Sequence, residues 1–252
     1  MSPELRLPND IFTHRSVSPP VTVGLSVTTF VLVPGAGGDI WYWHRLVAEL
    51  ESRGHHALAV ELPAADDSAG LEAYADTVVA AIGDRSPVVL VAQSMGGLTA
   101  PLVCDRVPVE LLVLVNAMIP APGETGGEWW TVTGQGAAAA AYRQHLGLTP
   151  ELSDEETFFH DVPADVVAAT MAQEFAQSTR PFEDPWPLER WPDVPTRVVA
   201  GRDDRLFPLD FQRRIAEERL GLAVDDVPGG HCVALSRPVE LADQLESYLG
   251  SR

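Results

Sequence analysis

Three short stretches of this chain carry side chains whose chemistry depends on their meeting in space. Pro87 to Gly97 reads Pro-Val-Val-Leu-Val-Ala-Gln-Ser-Met-Gly-Gly, an apolar run that stops at Ser94 and resumes, past two glycines, in a helical pattern. A serine hydroxyl is a weak nucleophile, and a strand that breaks sharply into a helix holds it clear of its neighbours and within reach of a base. Gly96 and Gly97 leave that room, while Ala92 stands where the first glycine of Gly-x-Ser-x-Gly is expected. Taken alone, the same residues also describe a buried strand followed by an ordinary Ser-Met-Gly-Gly turn. Val198 to Pro208 is a short strand running into a loop with adjacent carboxylates, Asp203 and Asp204, either of which can orient an imidazole. Val227-Pro228-Gly229-Gly230-His231-Cys232 ends another strand in a glycine-rich loop bearing a single histidine. The chain order Ser, Asp, His differs from the orders used by the two familiar serine-protease folds.

A fourth stretch supplies what a nucleophilic serine needs next. Phe30 to Gly38 reads Phe-Val-Leu-Val-Pro-Gly-Ala-Gly-Gly, a buried strand breaking into a flexible loop. Attack on a carbonyl creates an oxyanion that requires pre-aimed donors. The Met95 backbone N–H, following the nucleophile, and the Ala36 N–H of this loop are the expected pair, with Gly35 and Gly37 permitting close approach. A phosphate cradle is the competing role for such a loop, but the Gly-Lys-Ser/Thr ending and the Gly-x-Gly-x-x-Gly spacing are both missing.

These loops need strands and helices to position them, and the pattern alternates accordingly. Residues 1–22 read as a polar, proline-containing arm, and Val23 to Val33 as an edge or first strand. Trp43, Leu46, Val47 and Leu50 recur at helical spacing, and Ala57 to Val60 form a short strand. Leu71, Tyr74, Ala75, Val78, Val79 and Ile82 give a second amphipathic helix with Asp67 or Ser68 as its cap. Leu111 to Val115, Arg197 to Ala200 and Leu222 to Val227 are further strands, with helices over Pro208 to Leu220 and around Leu241, Leu245 and Leu249. Alternating strands and helices imply an α/β fold: about six mostly parallel strands, helices on both faces. Residues 120–195 break the alternation. They hold helices around Ala137 to Arg143 and from Pro163 to Gln177, and read as a cap between core segments 23–119 and 196–252. Gly35, Trp129 and Trp130 are candidates to line the substrate pocket, core packing of the cap being the alternative for the two tryptophans. Trp41 and Trp43 fall on different helix faces, so only one of them can line the site.

Together these motifs resemble the α/β-hydrolases, and within them the plant methylesterase and hydroxynitrile lyase group and its bacterial relatives. Phe30 to Leu46, and Gly201 to Gln212 with Gly229-Gly230-His231, carry the closer similarity. The resemblance implies an α/β-hydrolase fold, Ser94 as nucleophile, His231 as general base, Asp204 as its partner, and the Ala36 and Met95 amides as oxyanion donors. Asp204 is preferred to Asp203 because Gly201-x-x-Asp204-x-x-x-Pro208 matches the family spacing. Departures matter as well. Pro34 replaces the usual histidine before the oxyanion glycine, and Gly35 and Cys232 stand where the lyases carry a threonine and a lysine. A cyanide leaving group wants a nearby cation, so cyanohydrin cleavage is disfavoured.

Composition bounds the partners. A length of 252 residues with 46% hydrophobic content suits one large core. A formal charge of −19, from 36 acids against 17 Lys plus Arg, repels nucleic acid and anionic membranes. Two cysteines, Cys104 and Cys232, do not make a disulfide framework and point to a reducing cytoplasm. No apolar run approaches the ~20 residues a membrane span needs. His14, His44, His55, His56, His145 and His160 lack convincing metal-ligand spacing, so neither metal nor cofactor is expected. The expectation is a serine hydrolase acting on a small, largely apolar carboxylic ester. A non-hydrolytic biosynthetic enzyme (lyase, cyclase or acyl transfer) and a ligand-binding receptor are the alternatives. Oligomeric state is not legible.

Overall fold

The structure, a computed structural model, describes residues 27–250 apart from residue 174. The expected arm over 1–22, His14, and residues 23–26 of the expected first strand lie outside the described residues.

Six strands form the sheet: β1 (Thr29–Val33), β2 (His56–Ala59), β3 (Val88–Gln93), β4 (Leu111–Val115), β5 (Thr196–Gly201) and β6 (Val224–Val227). Every pairing is parallel, in the order β2-β1-β3-β4-β5-β6. β1 is therefore an interior strand, and β2 and β6 form the edges. Eleven helices accompany them among the described residues: α1 (His44–Ser52), α2 (Leu71–Ile82), α3 (Gly96–Cys104), α4 (Gly126–Val132), α5 (Gln135–His145), α6 (Asp154–Phe158), α7 (Ala164–Met171), α8 (Arg180–Glu183), α9 (Leu209–Leu220), α10 (Val233–Ser236) and α11 (Pro238–Leu249). None is long and apolar enough to cross a membrane.

Parallel strands covered on both faces read as continuous apolar runs, which is why β3 and β4 are buried at every position. Their side chains alternate between two cores. Val31, Val33, Leu90 and Leu112 pack with residues of α2, α3 and α9, whereas Phe30, Leu32, Val89 and Val113 pack with Trp43, with Leu46 and Leu50 of α1, and with Leu241 and Leu245 of α11. Each such fully buried Val or Leu contributes about 1.5–3 kcal/mol relative to exposure.

The strand order reverses beside β1. The chain crosses one way from β1 to β2 and then returns to place β3 on the other side of β1. Loops leaving β1 and β3 diverge at such a point and open a crevice beyond their carboxyl ends. Those two loops are the ones that carry Gly35-Ala36 and Ser94.

Two local expectations are corrected. The α2 cap is neither Asp67 nor Ser68: Gly70 occupies the N-cap position, and the Leu71 N–H donates at 3.0 Å to Asp184 Oδ2, brought from the segment between β4 and β5. Ser68 instead closes a turn, donating to Asp66 Oδ1 from its N–H at 2.8 Å and from Oγ at 2.6 Å. The helix expected over Pro163 to Gln177 ends at Met171, leaving Phe175 and Gln177 in a non-helical stretch.

Candidate active site

Ser94 follows the last residue of β3 and adopts φ +51°, a left-handed conformation uncommon outside glycine. Such strain costs of order 1–3 kcal/mol and persists where the surroundings over-determine it. Here the Ser94 carbonyl accepts the Gly97 N–H at 3.1 Å and the Met118 N–H at 2.9 Å. Glycine is required at two places around the elbow. A Cβ on Gly35 would lie 2.5 Å from Gln93 Oε1 and 2.8 Å from Ser94 Cβ, and one on Gly97 would overlap the Met118 carbonyl oxygen.

The three chain-remote side chains meet. Ser94 Oγ lies 3.1 Å from His231 Nε2, and His231 Nδ1 lies 2.8 Å from Asp204 Oδ2. Asp204 is 0% and His231 2% exposed. The second oxygen of Asp204 accepts the Leu206 and Phe207 N–H groups, each at 2.8 Å. Three hydrogen bonds thus satisfy a fully buried carboxylate. A carboxylate oxygen accepts, so the hydrogen bond assigns the ring proton to Nδ1 and leaves Nε2 as an acceptor facing the serine. Phe207 and Phe158 stand edge-on to the imidazole at 5.2 and 5.5 Å between ring centroids. Asp203 does not join this group: its side chain is exposed, and among the described residues Oδ2 accepts only a long contact, 3.4 Å, from the Gly229 N–H.

Among the described residues, neither the Ala36 nor the Met95 N–H donates to a protein acceptor. The neighbouring Gly37 N–H is engaged instead, by Gln177 Oε1 at 2.9 Å. Gln177 is anchored in turn by Nε2 donating to the Tyr74 hydroxyl at 3.2 Å and the Ser178 carbonyl at 2.8 Å.

A cavity of about 380 Å³ opens onto Ser94 and His231. Gly35, Ala36, Trp41, Tyr42, Phe158, Phe159, Phe175 and Cys232 give it apolar walls; Asp39, Asp154, Thr170 and Gln177 add polar groups, and among the described residues no Arg or Lys lines it. Burial and the charges of Asp204 and Asp161 push the Cys232 thiol well above its ordinary value. A larger, more open cleft of about 610 Å³ runs past Tyr142, Arg202, Phe211 and Arg214 and reaches none of Ser94, Asp204 and His231.

The expectation that Trp129 and Trp130 line the pocket is corrected. Trp129 is 0% exposed, donates its indole N–H to the Ile119 carbonyl at 3.0 Å and packs against Phe207 and Phe211. Trp130 meets Trp129 edge-on, lies tilted against Phe207 and does not line the cavity. A tryptophan whose N–H has a buried carbonyl partner is a core residue. Of the other pair, Trp41 lines the cavity and Trp43 is buried in the core. Phe158, Phe159, Phe175 and Gln177 went unforeseen. Only the apolar pair Phe158-Phe159, following the Ser153/Glu156 capping box of α6, left a signal in the sequence.

Comparison with known proteins agrees with this architecture. The model of the alpha/beta hydrolase family matches residues 30–244. The chain is similar to esterase PIR7B of Oryza sativa subsp. japonica, 37% identical over 252 residues that cover 86% of this chain and 93% of that protein. It is also similar to an alpha-hydroxynitrile lyase of Arabidopsis thaliana, 26% identical over 86% of this chain and 95% of the other. Among solved structures, a pyrethroid hydrolase from Sphingobium faniae JZ-2 superposes with a TM-score of 0.67 at 22% identity, covering 90% of this chain and 98% of that one. The family match over residues 30–244, together with the resemblance to PIR7B along most of both chains, shows that this protein belongs to the α/β-hydrolase family.

Proposed function

We propose that the protein is a serine esterase that hydrolyses a small, largely apolar carboxylic ester through an acyl-enzyme. The observation that carries this reading is the relay Ser94 Oγ, His231 Nε2, His231 Nδ1, Asp204 Oδ2, with links of 3.1 and 2.8 Å, at the floor of an aromatic-walled cavity. His231 Nε2 takes the Ser94 proton as Oγ attacks the ester carbonyl carbon. The Ala36 and Met95 N–H groups hold the oxyanion, and His231 returns the proton to the departing alkoxide. Water then enters, His231 deprotonates it, and attack on the acyl carbon releases the acid and regenerates Ser94. Residues 120–195 serve as the cap that excludes bulk water. Among the described residues the cavity offers no Arg or Lys to pair with a substrate carboxylate, and it presents Asp39 and Asp154, which favours a neutral ester. The reduced thiols Cys104 and Cys232 support a cytoplasmic setting.

The test is a panel of short p-nitrophenyl esters, methyl esters, lactones and thioesters offered to wild type and Ser94→Ala. Turnover by the wild type and none by a folded Ser94→Ala is the expected result; equal rates would place the nucleophile elsewhere. Fluorophosphonate labelling of Ser94 without turnover of any ester would favour a non-hydrolytic reaction in the same cavity. Tight ligand binding with neither labelling nor turnover would favour a receptor.

A further inference from the structure

β4 is followed, as β3 is, by a non-glycine residue with left-handed backbone: Asn116, at φ +45° and 0% exposed. Its side chain is a four-way junction. Nδ2 donates to the carbonyls of Gly230 at 3.1 Å and of His231 at 3.0 Å. Oδ1 accepts the Gly201 N–H at 2.7 Å and Gln212 Nε2 at 3.2 Å. The amide orientation is forced, because a backbone N–H only donates and a carbonyl only accepts. Both hydrogens and both lone-pair directions of the carboxamide are therefore in use.

The junction spans the two loops on which the relay depends. Gly201 ends β5 and leads into the Asp204 loop; Gly230 and His231 are the base loop itself. Gln212 continues the path by donating to the Phe207 carbonyl at 2.7 Å, and the Phe207 N–H is one of the two donors fixing Asp204. The Asn116 N–H meanwhile bonds Val199 of β5 at 3.0 Å, and two residues on, the Met118 N–H supports the Ser94 carbonyl at 2.9 Å. Asn tolerates the left-handed backbone. Aspartate would set lone pairs against two carbonyl oxygens, and leucine would leave the Gly201 N–H and the Gly230 carbonyl unpaired and the His231 carbonyl with only the long 3.4 Å contact from Gln93 Nε2.

We propose that Asn116 is a positioning residue for the reaction: its carboxamide sets the reach of the His231 imidazole to Asp204 and Ser94 by tying the histidine loop to the end of β5. The proposal rests on the reading of His231 as general base. Asn116 touches neither hydroxyl nor imidazole, so it acts on rate through geometry, and a displacement of about 1 Å is enough to cost about 100-fold.

Two variants test it. Asn116→Gly keeps the backbone conformation and deletes the carboxamide; Asn116→Asp keeps shape and backbone but removes both donors. Each is assayed for kcat and KM with a p-nitrophenyl ester, and by proton NMR for the far-downfield resonance of the His231 Nδ1–H, identified by its loss in His231→Ala. The expected result is a kcat lower by about 100-fold in Asn116→Gly with KM within about 3-fold, and a shifted or exchange-broadened resonance in both variants. If Asn116→Gly does not fold, Asn116→Asp carries the comparison. An unchanged resonance with kcat within about 3-fold of wild type in a folded variant overturns the proposal. A wild type that shows the resonance but hydrolyses no ester defeats the esterase reading instead, and the NMR comparison still decides the part played by Asn116.

Discussion

Replacing Asp204 by asparagine isolates the tautomer on which the proposed mechanism depends. Oδ1 of Asp204 accepts two backbone N–H groups at 2.8 Å, and in Asp204→Asn these donors hold the carbonyl oxygen of the new carboxamide in the same place. Flipping the amide would point its NH2 at both of them. The Nδ2 hydrogens must therefore face His231 Nδ1, across the 2.8 Å contact that a carboxylate oxygen makes in the wild type. A ring nitrogen met by a donor becomes an acceptor, so the ring proton moves to Nε2, which then faces Ser94 Oγ at 3.1 Å and can no longer accept its hydrogen. The fold keeps its packing while the base is lost. In serine triads this tautomer error lowers kcat by about 10⁴-fold, equivalent to about 5.4 kcal/mol at about 1.36 kcal/mol per decade. Steady-state hydrolysis of a p-nitrophenyl ester, with thermal unfolding in parallel, measures it. Asp203→Asn is the control, expected within about 3-fold of wild type because its exposed carboxylate makes only the 3.4 Å contact with Gly229. Asp204→Asn retaining more than a tenth of kcat, or Asp203→Asn being the variant that collapses, would refute the reasoning.

Three further outcomes follow from packing and charge. Trp129→Ala should lower stability by about 3–5 kcal/mol by opening a cavity in the core and leave KM nearly unchanged when assayed below its unfolding temperature, whereas Trp41→Ala should raise KM with a smaller loss of stability; a KM change confined to Trp129→Ala would return that residue to the pocket. Arg53 binds Glu49, Asp243 and Glu246 and so joins α1 to α11; burial raises the Glu246 carboxyl, but hydrogen bonds from Arg53 and His55 outweigh it and hold the group below its ordinary 4.5. A carboxylate depressed in the folded state stabilises above its unfolded value and loses that contribution as pH falls through the folded one. Arg53→Ala should therefore melt about 2–4 °C lower near neutral pH, for roughly 1 kcal/mol, and the gap should close as pH drops below 4.5; a gap that widens in acid contradicts the assignment. Burial pushes the Cys104 thiol up to about 12 and raises Cys232 further, so a disulfide reagent near neutral pH should find no fast thiol in the native protein and two per chain after unfolding; rapid native labelling would show that Cys232 is open to the cavity as a thiolate.

The strands and the relay were legible because parallel strands buried on both faces leave unbroken apolar runs, and their loops carry the polar residues at one end of the sheet. Val88 to Gln93 followed by Ser94 announces itself in that way, as do the loops holding Asp204 and His231. The choice between Asp203 and Asp204 rested on spacing, whereas in the structure it follows from which carboxylate turns inward to the Leu206 and Phe207 amides. The segment between β4 and β5 was the hard part. A tryptophan that lines a pocket and one that fills a core have the same hydropathy, and only the Ile119 carbonyl beside the Trp129 indole separates the two. Gln177 and Asn116 left no trace, because each works through partners far along the chain: Gly37 for the first, and Gly201, Gly230 and His231 for the second. Asp184 capping α2 across 113 residues is the same kind of contact.

The central claim is that His231 and Asp204 make Ser94 the one activated hydroxyl of the chain. Peptide mapping by mass spectrometry after treatment with a fluorophosphonate tests it most directly. One adduct per chain, on the peptide containing Ser94 and lost in His231→Ala, is the predicted result. An adduct on another residue, or labelling of Ser94 at an unchanged rate without His231, would contradict it.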